Sequence, residues 1–453
     1  MSAAAAMQGA PWRFAVPRSG VFTALLVVMT VALFGVSHLM LNMAGLHYEV
    51  PGGSIVEKIH PATWLAALAL GLAVVESGHP LQWLNGVVAR HKGLMLFAFA
   101  TLALSWHLIV NQHAPFSGLI DTFVLPMMLV LLLEGVNGRQ RDGLERVIHA
   151  LMAVNAGLGI FEVATGWHLT PLIIGELVQT DDWRATALMG HPLNNAAVTA
   201  HYLIALALGG ARAVPRPLAV ALFVLNLAAM NAFGGRVAFV LALAIIGAVA
   251  LWRLLGLMRG ARFSRSAAVF AVAAAPIGLA LLILLYDAGA FDRFLTRFVA
   301  DKGSAEARLI MLELFDAIPE RDLFLGPNAE QVAALMRMEG LVGLESFWVA
   351  FVLSYGLAMS LVFFAGLFAF LWDLVKSTSP AAMALVIFFL LEATTSVSVS
   401  AKTTTLAMMV MIAMVFLRRE AAGAQQRTTR RVHSRSGMAT AGPATILRQP
   451  LRP

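Results

Sequence analysis

The chain has 453 residues, of which 59% are hydrophobic and only 13% charged, with a net charge of +7 and a mean hydropathy of +0.80. A soluble globule carries roughly 25% charged residues, so a free-standing soluble domain is excluded. Cysteine is absent, which excludes disulfides, thiolate chemistry and cysteine–zinc sites.

Taken in chain order, the apolar residues fall in continuous blocks of about 18 to 25, the length that crosses ~30 Å of hydrocarbon. Backbone groups in lipid must pair within a helix or a closed barrel, and unbroken blocks rather than alternation favour helices. The fold class predicted is all-α, a polytopic membrane protein with about twelve transmembrane helices. Residues 1–20 read as a cytoplasmic segment without a cleavable signal pattern. Nine spans follow within 21–286, at 21–44, 60–76, 93–110, 118–136, 145–164, 192–210, 216–233, 236–257 and 266–286. A long loop with short helices fills 287–345, and three more spans lie within 346–417, at 346–371, 381–398 and 402–417. The polar run ATTSVSVSAKTTT between the last two also suits a broken helix. Residues 418–453 read as a disordered basic tail.

Lysine and arginine set the expected orientation. With the N-terminus and C-terminus cytoplasmic, 22 of the 32 basic residues fall on that side. The two long connections, about 165–191 and 287–345, then face away from the cytoplasm. The basic residues are spread over short loops and a tail, so topology explains the charge better than a nucleic-acid partner does.

Four polar groups near the far-side helix ends stand out, because ionisable side chains are costly near lipid. In RATALMGHPLNNA, Pro192 opens a helix, which puts His191 at its mouth and Asn194 in its first turn. A helix N-terminus favours an anion, and Arg184 and His191 add to it; a solvated loop with an ordinary cap is the plain alternative. In NAFGGRVAF, Gly234, Gly235 and Arg236 form a tight turn leading into the next helix, an arrangement that suits a phosphate. An interfacial arginine anchoring the helix end is the alternative there. In the long loop, Ser304 is expected to cap a helix whose apolar face is Met311, Leu312, Phe315 and Ile318, with Arg308 on that same face. Arg308 equally suits an internal ion pair. Finally, Glu345 stands at the entry to the tenth span, where a partly desolvated carboxylate suits a general base or simply favours the helix N-terminus.

The order of these pieces resembles the O-antigen ligase and O-antigen polymerase (Wzy-type) superfamily, membrane glycosyltransferases that take a glycan from undecaprenyl diphosphate. RATALMGHPLNNA resembles that family's Arg-x-x-Gly…(His/Asn)-Pro segment, with Ala187 where glycine is usual. NAFGGRVAF resembles its arginine turn, commonly Ser-Arg-Gly, with Gly235 in place of the serine. The stretch from Gly303 to Gly326 resembles the segment with an arginine before a Leu-Gly turn. GLESFWVAFVLSYGL resembles the His-Asn-x-x-Leu…Gly segment, with Glu345 and Ser346 at the His-Asn positions. The resemblance implies a GT-C-like fold and a metal-independent, inverting glycosyl transfer at the periplasmic face of a bacterial inner membrane. Arg184, Arg236 and Arg308 would bind the diphosphate, supported by Gly234, Gly235 and Asn194, with Glu345 or His191 as base and no cofactor. The lipid-linked glycan would be the substrate, and a flippase and a chain-length regulator the expected partner proteins. The missing histidine at 345 favours a polysaccharide polymerase over a ligase. A flippase of the same substrate is the alternative of another class.

Overall fold

The computed structural model describes residues 19–112, 116–174, 177–179, 182–259, 304–341, 343–396 and 398–418. The span expected at 266–286 and the tail from 419 lie outside the described residues. The described residues up to Leu417 belong to one compact unit.

The first described helix is α1 (Gly20–Gly35), started by the Ser19 hydroxyl, which accepts from the Phe22 N–H, and it breaks at Val36 and Ser37 before α2 (His38–Met43). The span expected at 21–44 is therefore two helices. Pro61 opens α3 (Pro61–Glu76), capped by the His60 imidazole. The segment after it, expected as a loop, is α4 (Pro80–Arg90), bent 115° from α3. Its Leu81, Leu84 and Val88 are exposed, as on a helix lying along a membrane surface.

Next come α5 (Lys92–Gln112), whose last turn is a π-helix, and α6 (Ser117–Glu134), which holds a second π-turn at Ile120–Val124. An Asn137–Gln140 capping box starts α7 (Gly138–Thr165), and left-handed Gly166 ends it. A two-residue antiparallel pair, Ile173 facing Val178, interrupts the helical architecture before α8 (Pro192–Ala207), α9 (Arg216–Phe233) and α10 (Arg236–Met258).

The long loop carries α11 (Ser304–Glu313), α12 (Glu320–Leu325) and α13 (Ala329–Met338). Its buried face is Met311, Leu314 and Ile318, whereas Leu312, expected inside, is 53% exposed. Met311 lies in the last turn of α11, and Leu314 and Ile318 lie in the turn that follows it, so the buried face does not continue one helix stripe. Then follow α14 (Phe347–Ser377), longer than the expected 346–371, α15 (Pro380–Glu392) and α16 (Thr405–Phe416). The spans expected at 381–398 and 402–417 are shorter than predicted, because residues 393–404 leave the α-helix.

Among the described residues, six helices are long and apolar enough to cross a membrane, seven if bent α3–α4 is one span. At ~1.5 Å per residue a 16-residue helix such as α1 or α8 reaches roughly 24 Å, short of the ~30 Å core.

Every residue of α16 is buried, so this helix is the central post of the bundle. Around it α5 and α14 lie close, because Gly93 and Gly366 leave no room for a side chain against Ala369, Phe97 and Ala100. Phe97 stacks on Phe370, and Phe123 and Phe351 both meet Phe363. The outer surface is apolar, with Phe99, Leu102, Trp252 and Trp372 all exposed, and only 11% of the apolar window of α10 is buried. Such a surface suits a lipid environment.

Contacts sort the loops into two ends. Ser19 meets Glu76, His91 meets Glu134, and Glu145 accepts the N–H groups of Arg212 and Ala213. Gly93 donates to Asp373 at the same end. The residues singled out for chemistry lie at the opposite helix ends.

Candidate substrate-binding site

The first two motifs meet. At the end of α9 the chain turns at Gly234 in the left-handed conformation (φ 65°), and a Cβ there would sit 2.9 Å from the Arg184 side chain. A Cβ on Gly235 would collide with Ala196 of α8. These two glycines therefore let the Arg184 stem and α8 press directly on the turn, and the next residue, Arg236, begins α10. The Ala185 N–H donates to the Ala232 carbonyl at 3.0 Å, which ties the two segments together.

Arg184 is buried and grips Asp182 in bidentate fashion, Nη2 donating at 2.6 Å and Nε at 2.9 Å. His191 caps α8, its Nδ1 accepting from the Leu193 N–H at 3.3 Å. Burial pushes the imidazole down to about 4, and the positive charge of Arg184 adds to the effect. Asn194 lines a small polar void, but its neighbour Asn195 braces the loop, Nδ2 donating to the carbonyls of Thr186 and His191.

The brace for the whole Arg184 loop is Glu162 of α7, fully buried. Its carboxylate accepts the N–H groups of Leu169, Thr186 and Ala187 at 2.9, 2.8 and 3.1 Å. The Asn155 side chain accepts the next N–H, from Leu188.

The other two motifs also meet each other. Gly356 interrupts α14 at φ 79°, and a Cβ there would strike the Gly326 nitrogen at 2.3 Å, so the Leu325–Gly326 turn packs backbone to backbone on α14. The half-buried Glu345 donates its N–H to the Met311 sulfur at 3.0 Å. The Arg308 side chain lies outside the described residues, so its expected place beside the diphosphate is neither added to nor removed.

A third centre was not anticipated. The fully buried Asp121, in the π-turn of α6, accepts from the Tyr48 hydroxyl at 2.8 Å, the Thr63 hydroxyl at 2.6 Å and the His60 N–H at 3.0 Å. Lys402, in the break between α15 and α16, stands 4.0 Å from Asp121 and donates to the carbonyls of Tyr48 and Lys58 at 2.8 and 2.6 Å. Its ammonium lies 3.3 Å from the centre of the Tyr48 ring. Lone carboxylates inside apolar blocks, Asp121 and Glu162, were the available sequence signal. The two centres adjoin at the α1–α2 break, where Ser37 leaves no room for a Cβ on Gly190 and His60 Nε2 lies 3.0 Å from the Val36 carbonyl.

Chemically, the starts of α8 and α10 beside the diglycine turn offer backbone donors to an anion, while the Arg184 guanidinium is already paired with Asp182. A buried, neutral imidazole at the same mouth can accept a proton. Comparison with protein-family models, with characterised proteins and with solved structures yields no match to this chain.

Proposed function

We propose that this protein is a membrane glycosyltransferase that acts on polyprenyl-diphosphate-linked glycans at the outward face of a bacterial inner membrane, polymerising repeat units of an extracellular polysaccharide. The observation that supports the reading is the seating of the Arg184 stem on Gly234, two residues before Arg236 begins α10. In this reading the two arginines hold the diphosphate and take up the charge that develops as it leaves. Asp182 fixes the plane of the Arg184 guanidinium. His191 or Glu345 takes the proton from the attacking hydroxyl, while Arg308 completes the cationic set. Transfer to a different acceptor, as in a ligase, uses the same parts. The N-in, C-in orientation rests on the distribution of basic residues.

The test is Arg236→Ala in cells. Loss of long-chain polysaccharide with normal protein level and membrane insertion is expected, and normal polymer length contradicts the reading.

A transporter of the same lipid-linked glycans is favoured by a different observation. Helices break at Val36–Ser37 and across 393–404 around the Asp121–Lys402 pair, as helices do where they line a translocation site. The two readings part in liposomes, where polymer made from substrate supplied on the outside requires an enzyme.

A further inference from the structure

The helix α4 lies across one end of the bundle and not through it. Ser19, at the start of α1, donates to Glu76, the last residue of α3. Gln140, in the first turn of α7, donates to Thr23 in the first turn of α1. Glu134, which closes α6 just before α7, meets His91, which precedes α5, at 2.9 Å. Both ends of α4 therefore stand at the same end of the bundle. Since α3 packs along α1 and α6, the 115° bend after it turns α4 broadly into the plane of the membrane face.

Three kinds of surface run along this helix. Val87 is buried, with Trp83 and Gly86 half-buried beside it, so that side rests on the protein. Leu81, Leu84 and Val88 follow the i, i+3, i+7 repeat of one stripe, and all three are exposed. Gln82, Asn85 and Ala89 make a second exposed stripe at the same spacing, displaced by one residue, about 100° of helix rotation.

We propose that α4 is an in-plane membrane anchor, with Leu81, Leu84 and Val88 sunk among the acyl chains of the bilayer surface and Gln82 and Asn85 turned to water. A helix at the rim of a membrane bundle meets protein, hydrocarbon and water at once, and α4 has a stripe for each. The apolar stripe continues the outer apolar surface on both sides of it, where Leu68 and Val75 of α3 and Leu96 and Phe99 of α5 are exposed. Charge complements a phosphate layer, because residues 77–92 contain Arg90 and Lys92, both exposed, and no carboxylate. Arg90 also stands 4.0 Å from Glu134. Such an anchor fixes the depth at which α3 and α5 leave the membrane. It rests on helix geometry and exposure, and is independent of the diphosphate reading at Arg184 and Arg236.

A second copy of the chain seated on α4 is the competing occupant, and one experiment separates it from lipid. The chain has no cysteine, so a nitroxide can be attached at single positions of the full-length protein in phosphatidylcholine–phosphatidylglycerol liposomes. The variants are Leu81→Cys, Leu84→Cys and Val88→Cys on one stripe, and Gln82→Cys, Asn85→Cys and Ala89→Cys on the other. Each is measured for collision with oxygen, which concentrates in hydrocarbon, and with a water-soluble nickel chelate. The oxygen-to-nickel ratio is expected to be at least about fivefold higher on the Leu84 stripe than on the Asn85 stripe. Equal ratios on the two stripes, or ready access of nickel to Leu84→Cys, place the helix in water and overturn the proposal. Low access of both reagents to Leu84→Cys and Val88→Cys means that protein covers the stripe, which overturns it equally.

Discussion

Glu162 and Ala187 are joined by a 3.1 Å hydrogen bond from the Ala187 N–H to the buried carboxylate, and Ala187 is the one non-glycine with a left-handed backbone (φ 39°) among the described residues. An alanine there costs roughly 1–2 kcal/mol, and the Glu162 bonds hold it in place. Ala187→Gly removes the Cβ conflict at the cost of extra chain entropy in the unfolded state, so a net stabilisation of about 0.5–1 kcal/mol is expected. A melting curve of the purified protein in detergent checks it, and an unchanged or lower midpoint contradicts the strain assigned to this turn.

Glu162→Gln presents an NH₂ group to a set of backbone donors. At least one buried N–H then goes unpaired, at a cost of about 1–3 kcal/mol. The Arg184 loop should loosen first, so limited trypsin digestion is expected to cut after Arg184 in the variant at concentrations that leave the parent chain intact. Equal resistance of the two proteins would remove Glu162 from its role as the brace.

Desolvation pushes the His191 imidazole down to about 4, and the charge of Arg184 adds to it. The unfolded chain takes up this proton near 6.5, so between about pH 6.5 and 4 the unfolded state binds more protons than the folded one. Stability contributed by His191 is therefore present above the unfolded pKa and lost as pH falls through this window. His191→Asn should narrow the drop in melting temperature between pH 7 and 4.5. An identical drop in both proteins contradicts a depressed imidazole.

Gly356→Ala places a methyl group 2.3 Å from the Gly326 nitrogen on a left-handed backbone, and a loss of at least about 3 kcal/mol is expected. Gly247 of α10 has nothing within 4 Å of an added Cβ, so Gly247→Ala should be neutral or stabilising by up to about 1 kcal/mol. Comparing the melting points of the two variants tests the backbone contact that ties α12 to α14.

Much of the helix layout was legible because block length and flanking charge report directly on lipid crossing. α9 lies where the apolar block at 216–233 put it, between Arg216 and the Gly234 turn. Breaks inside blocks were not legible. Val36–Ser37 carries no proline or charge, and the π-turn at Ile120–Val124 leaves hydrophobicity unchanged, so block length passes over both. The polar run before Lys402 did reveal itself, since threonines and serines at 394–405 weaken an apolar helix. For the site, Arg184 and the diglycine turn were visible as types and spacing, but their contact is tertiary. Asp182 lies two residues before Arg184, but the bracing of their loop by Glu162, 22 positions before Arg184, is tertiary.

The central claim is that the arginines flanking the Gly234–Gly235 turn bind a lipid-anchored diphosphate for glycosyl transfer. Its most direct test reconstitutes the purified protein in liposomes and adds the polyprenyl-diphosphate-linked repeat unit to the outer leaflet. Polymer and free polyprenyl diphosphate are expected from the parent chain and neither from Arg236→Ala, with no cofactor supplied. Entry of the intact lipid-linked unit into the inner leaflet without any polymer would contradict the account.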